Sequence, residues 1–326
     1  MTVDPSIPRR SVRRRAAPLA WLAGLVVIAG CADGAGKSGR AEGGAGRLRV
    51  LATTTVVADL VRQVGGGRID VDCLMAAGID PHSYKPTPLD ADRLASAGLV
   101  VASGLDLEGR LAALLERLGR TKPVVAVGDM LPADRLIPVG GGQVDPHVWF
   151  DPLLWSQAAP GVAAALATAD PAGADEYRER AATYAARLGE VDAALRARVE
   201  TIPAARRVLV TAHDAFRYFG RAYGIEVVGV QGTSTESEAG LGDINRLVDL
   251  VVTRRIPAVF VETSVSDRDV AALREGARAR GHEVAVGGRL FSDSLGGPGS
   301  GGETLEEALA ANVDAIVTGL VAGATP

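Results

Sequence analysis

The stretch ADEYRERAATYAARLGEVDAALRARVETI, residues 174–202, decides how this chain folds. It is rich in Ala, Arg and Glu, all strong helix formers, and Gly189 is its only glycine. Pro171 breaks the chain before it, and Pro203, with no N–H to carry a helix onward, stops it. One helix of this length runs about 40 Å. That is long enough to span two lobes, so the stretch reads as a rigid spine rather than a linker.

On both sides of the spine, short β-rich runs alternate with helical stretches. Upstream, strands are expected at Arg49–Thr53, Ile69–Met75, Leu99–Ala102 and Val124–Val127, with helices at Val56–Val64, Leu89–Ala97 and Leu107–Leu118. The pattern then turns helical from Leu154 to Ala169. Downstream, strands at Val208–Val210, Ile225–Val230, Ala258–Val261 and Glu283–Val286 are separated by helices near 215–223, 240–254, 267–280 and 304–322. Such alternation predicts an α/β fold: two lobes of mainly parallel sheet joined by the long helix. The expected division is a targeting segment 1–30, a tether 31–46, a first lobe 47–152, a helical region 153–204 and a second lobe 205–326.

The N-terminus explains the targeting segment. Arg9, Arg10, Arg13, Arg14 and Arg15 precede the apolar run Leu19–Val27, which is short for a membrane span. Ile28-Ala29-Gly30-Cys31 follows, an order that resembles a bacterial lipoprotein box, with cleavage before Cys31 and lipid on that residue. Residues 32–46, full of Gly and Ala, read as a flexible leash. Cys73 is then left alone, so no disulfide framework is expected, and it reads as a buried apolar filler. A net charge of -4 and no basic stripe beyond the N-terminus argue against nucleic acid as a partner. A monomer is expected.

The chemistry concentrates in the histidines. His82 and His147 each follow an Asp-Pro step, in Asp80-Pro81-His82 and Asp145-Pro146-His147, and His213 follows the apolar run Val208-Leu209-Val210. Proline stiffens the backbone before each of the first two rings, and neutral imidazole is the commonest metal ligand. Ligands in open α/β sheets gather just beyond the carboxyl ends of strands, where His213, Glu262 and Asp293 are expected. Three imidazoles and one carboxylate complete the coordination of a small divalent ion, here in the cleft between lobes. Glu262 either accepts a hydrogen bond from a ligand histidine or pairs with an arginine at the lobe interface. Asp80 and Asp145 read as turn formers, and His282 as a surface turn residue.

Taken together, Asp80-Pro81-His82-Ser83-Tyr84, Asp145-Pro146-His147-Val148-Trp149, His213-Asp214-Ala215-Phe216 and Gly287-Gly288-Arg289-Leu290-Phe291-Ser292-Asp293 resemble the motifs of one family. It comprises the zinc- and manganese-binding lipoproteins of cluster 9 ABC importers. The segment Gln231–Gly240 and the strand end Phe260-Val261-Glu262-Thr263 extend the resemblance, which runs from about residue 48 to the C-terminus. It implies two α/β lobes bridged by a long helix, and metal ligands His82, His147, His213 and Asp293. It also implies delivery of the metal to an ABC permease and its ATPase. Many zinc-specific members carry a His-rich loop before the second histidine; here Ile137–Gln143 holds no histidine. Zinc is expected ahead of manganese, since nitrogen-rich sites bind zinc more tightly, and iron comes third.

Two rival functions remain. A zinc hydrolase needs an open position for water and a nearby base, which three histidines with Asp214 or Glu262 would supply only if Asp293 were not a ligand. A surface adhesin would use the metal for structure alone.

Overall fold

The computed structural model describes residues 46–322. The targeting segment, Cys31 and all of the tether but its last residue lie outside them. Among the described residues no helix is long and apolar enough to cross a membrane.

Strands β1 (Leu48–Ala52), β2 (Ile69–Cys73), β3 (Leu99–Ala102) and β4 (Val124–Ala126) form a parallel sheet in the order β2-β1-β3-β4. Val50 lies opposite Val71 on one side and Leu99 on the other. Helices α1 (Thr55–Gly65), α2 (Pro88–Ser96) and α3 (Gly109–Gly119) make the crossovers. Successive strand residues face opposite sides. Val50 and Ala52 therefore join α1 in a central core, while Leu51 packs with Leu94 and Leu111 in an outer one. Cys73, at the end of the edge strand β2, is half-buried rather than sealed in the core, and its thiol donates to the Met75 carbonyl at 3.1 Å.

The next segment departs from expectation twice. A hairpin of β5 (Pro138–Gly140) and β6 (Gln143–Val144) turns through Gly140, Gly141 and Gly142, all at positive φ, which side chains resist. The single helix expected over 154–169 is instead α4 (Pro152–Trp155), a short 3-10 turn, and α5 (Ala159–Ala169). Pro160 explains the break, because it cannot donate to the preceding turn and starts α5 instead.

The spine is α6 (Ala174–Glu200), 27 residues long. Tyr177, Ala181, Tyr184, Leu188, Leu195 and Val199 recur at intervals of three, four or seven, giving one buried stripe. That stripe packs on α1, α4 and α5 and also on α10 (Leu305–Ala322). Arg187 reaches Gln63 of α1 and Glu306 of α10, so the spine grips both halves of the molecule.

In the C-terminal half, β7 (Val208–His213) pairs in parallel with β8 (Glu226–Gln231), and β9 (Ala258–Glu262) with β10 (Ala285–Leu290). Strand β7 also runs beside β9. Leu209, Ala258 and Phe260 enter the central core, while Val210, Val259 and Val261 form a second outer core with α8 (Leu241–Thr253) and α9 (Arg268–Ala279). Helix α7 (Arg217–Tyr223) completes the set. Strand β10 starts later than expected and continues through Gly287 and Gly288 to Leu290, with a bulge between Val286 and Gly288. A Cβ at Gly287 would lie 2.6 Å from the Phe260 ring, so the close approach of this strand requires glycine there.

Candidate metal centre

All the strands of each parallel sheet end on the same side, and the candidate side chains project from those ends. His213 is the last residue of β7, and Glu262 the last of β9. Asp293 lies three residues beyond β10, His82 on the connection from β2 to α2, and His147 after the hairpin. Gly229 of β8 lets the His213 turn come close: a Cβ there would stand 2.3 Å from the Asp214 nitrogen.

His82, His147, His213 and Asp293 come together, all buried, with one ligand atom of each within 4.8 Å of the others. The Nε2 of His147 lies 3.2 Å from that of His82, 3.3 Å from that of His213 and 3.2 Å from Asp293 Oδ1. Asp293 Oδ1 stands 3.4 Å from His213 Nε2. A tetrahedral shell with bonds of about 2.0–2.1 Å sets its ligand atoms about 3.3–3.4 Å apart. Those spacings fit one small cation.

The carboxylates on the far sides of the rings agree. Asp145 Oδ1 lies 2.8 Å from His147 Nδ1, and Glu262 Oε2 lies 2.6 Å from His213 Nδ1. A carboxylate there favours the tautomer with its proton on Nδ1, facing the carboxylate, which leaves the Nε2 lone pair pointing into the cluster. Among the described residues, Asp293 Oδ1 is buried and meets no aligned donor. The centre is thus a knot of acceptors, an arrangement that costs free energy unless a cation or protons enter.

The protonation tendencies follow from this crowding. Burial pushes the His82 imidazole down to about 4. Burial acts the same way on His147 and His213, but Asp145 and Asp293 outweigh it for the first and Asp293 and Glu262 for the second. Both are held above the ordinary imidazole range, His213 well above it. Burial alone would raise Asp293, yet the two imidazoles hold its carboxyl well below the usual carboxylate range.

The loop that carries Asp293 is anchored on both sides. Trp149 Nε1 donates to the Ser292 carbonyl at 3.2 Å, and Ser264 Oγ lies 2.8 Å from Ser292 Oγ. Leu295 N–H donates to Thr55 Oγ1 at 2.8 Å, and Gly78 N–H to Ser294 Oγ at 2.9 Å. Tyr218 fixes the other half, donating to the Asp145 carbonyl at 2.9 Å.

Of the two expectations for Glu262, its carboxylate lies against His213 and accepts that residue's backbone N–H at 2.9 Å. Arg289 donates instead to the Glu262 carbonyl. His282 stands apart from the cluster, with Nε2 against the Ile256 carbonyl. Asp145 was expected only to form a turn; its contact with the ring had one sequence signal, its place two residues before a histidine.

Comparison with known proteins places this architecture. A family described as "Zinc-uptake complex component A periplasmic" matches residues 50–319. The chain is 43% identical over 295 residues to the manganese-binding lipoprotein MntA of Bacillus subtilis, covering 90% of this chain and 95% of that one. It is 40% identical over 275 residues to the zinc-binding protein TroA of Treponema pallidum, covering 84% and 89%. The solved structure of the periplasmic zinc binding protein TroA superposes with a TM-score of 0.82 over 84% of this chain and 99% of that chain.

Proposed function

Because the chain belongs to the zinc-uptake complex component A family, we propose that it captures a divalent metal ion outside the cytoplasm and delivers it to an ABC importer. The observation that carries this reading is the buried convergence of three imidazole nitrogens and one carboxylate oxygen. In it, His82, His147, His213 and Asp293 are the ligands, and Glu262 and Asp145 orient two of the rings. The two sheets act as the lobes, residues 47–152 and 205–326, with 153–204 between them. Cys31 carries the lipid that holds the chain to its membrane, as the lipoprotein name of the B. subtilis relative suggests. The remaining partners are the permease and its ATPase.

The protein is a carrier rather than an enzyme. Asp293 takes the fourth position, where a hydrolytic metal would keep water. Zinc binds more tightly than manganese at equilibrium, since three nitrogens favour it. A manganese cargo is the second reading, supported by the relative named for manganese.

Calorimetric titration of metal-stripped protein with zinc and manganese tests this, with His213→Ala and Asp293→Ala alongside. One tight equivalent, weakened in both variants, is the expected result. Undiminished affinity in Asp293→Ala, together with peptidase or esterase turnover in the parent, would overturn it.

A further inference from the structure

The segment Gln231–Gly240, between β8 and α8, contributes no ligand, yet it crosses to the other half of the molecule. Thr235 Oγ1 donates to Asp80 Oδ2 at 2.6 Å, and the exposed Glu236 meets Arg110 of α3 at 3.2 Å. We propose that Thr235 is a positioning residue for His82, and that this loop is a clasp setting how fast the metal leaves. The proposal rests on the ligand assignment above.

Three observations carry it. First, all four ligands are buried, but His82 lies nearest the surface: it is 4% exposed, against 0% for His147 and His213 and 1% for Asp293. Secondly, it is the least supported of the three rings. The carboxylates of Asp145 and Glu262 lie against the Nδ1 atoms of His147 and His213, whereas among the described residues His82 is supported through its backbone, by Asp80 Oδ1 accepting its N–H at 2.9 Å. The connection that bears it has neither helix nor strand between Cys73 and Pro88. Asp80 therefore sets the direction of His82, and Asp80 Oδ2 is shared between Ser83 Oγ and Thr235 Oγ1.

Thirdly, the loop has somewhere to go. A recess of about 510 Å³ lies beside it, lined by Ser234, Ser237 and Glu238 of the loop and by Asp214, Asp243 and Leu247. Movement into that recess breaks the Thr235–Asp80 bond and frees the Asp80–His82 turn, while His147, His213 and Asp293 stay in place. The Arg110–Glu236 pair is exposed and adds little strength of its own. The hydroxyl-to-carboxylate bond is charge-assisted and is the stronger link.

Zinc release into a chromophoric chelator, followed by stopped flow from the loaded protein, tests the clasp in the parent, Thr235→Val and Thr235→Ser. Loss of one hydrogen bond to a charged group predicts release about tenfold faster in Thr235→Val. Thr235→Ser keeps the hydroxyl and should release at the parental rate, and the three metal-free proteins should melt together. An unchanged rate in Thr235→Val overturns the clasp, as does a Thr235→Ser variant as fast as the valine one. A metal-free Thr235→Val protein that melts well below the parent also overturns it, by assigning the residue a general structural role. A parent that takes up no zinc overturns the ligand assignment as well; the other outcomes leave that assignment standing.

Discussion

Glu262 holds His213 at two points: Oε1 accepts the backbone N–H at 2.9 Å, and Oε2 lies 2.6 Å from Nδ1 of the same residue. Both groups are fully buried at the ends of neighbouring strands β7 and β9. The carboxylate thus fixes where the ring starts and which nitrogen carries its proton.

Glu262→Gln separates these two effects. The amide oxygen can still accept the backbone N–H, but its NH2 group then faces Nδ1 and favours the tautomer with the proton on Nε2. Zinc affinity should fall about 10–100-fold, the usual cost of losing such an orienting partner. A competition titration against a chelator measures it; a change under twofold would mean that the carboxylate is only structural.

Asp145→Ala makes the matching test on His147, whose backbone N–H and Nδ1 both meet Asp145 Oδ1, an oxygen that asparagine would retain. The same titration should show a loss in the same range. Far-ultraviolet circular dichroism should match that of the parent, which separates lost affinity from lost fold.

Metal-free and metal-loaded protein should respond to pH in opposite ways. His213 in the metal-free fold is held above 6.5, its ordinary value, by Asp293 and Glu262 against the opposing effect of burial. A raised folded pKa contributes stability that is fully present below the unfolded pKa and is lost as pH rises through the folded one. Melting of the metal-free protein should therefore fall as pH climbs from about 6.5, while zinc affinity rises as protons leave the same nitrogens. Scanning calorimetry with and without chelator reads both trends.

Much of this was legible in the sequence, and the exceptions have physical causes. The spine was readable because a long run of helix formers between Pro171 and Pro203 allows little else. The two Asp-Pro-His steps look identical in sequence, yet Asp145 reaches its histidine ring and Asp80 does not. Tyr218 and Thr235 hold the two turns from distant parts of the chain, contacts that no local pattern announces. Strand β10 was cut short because Gly287 and Gly288 carry no strand signal of their own; their reason is the Phe260 ring beneath Gly287 and Ala315 of α10 beside Gly288. The division between Leu154 and Ala169 was readable from Pro160, but the apolar run around it masked the break.

The spine should matter for stability in its own right. Leu188 is fully buried midway along α6. Leu188→Ala should cost about 2–5 kcal/mol, as deletions in packed cores do. Urea unfolding of the metal-free protein measures it, and the stoichiometry of zinc binding should stay at one.

One ion is expected to sit among His82, His147, His213 and Asp293. Zinc X-ray absorption on protein loaded with one equivalent tests it most directly. Multiple-scattering features of three imidazoles and one or two oxygens are expected, with bonds of about 2.0–2.2 Å. A sulfur scatterer, or fewer than three imidazoles, would contradict it.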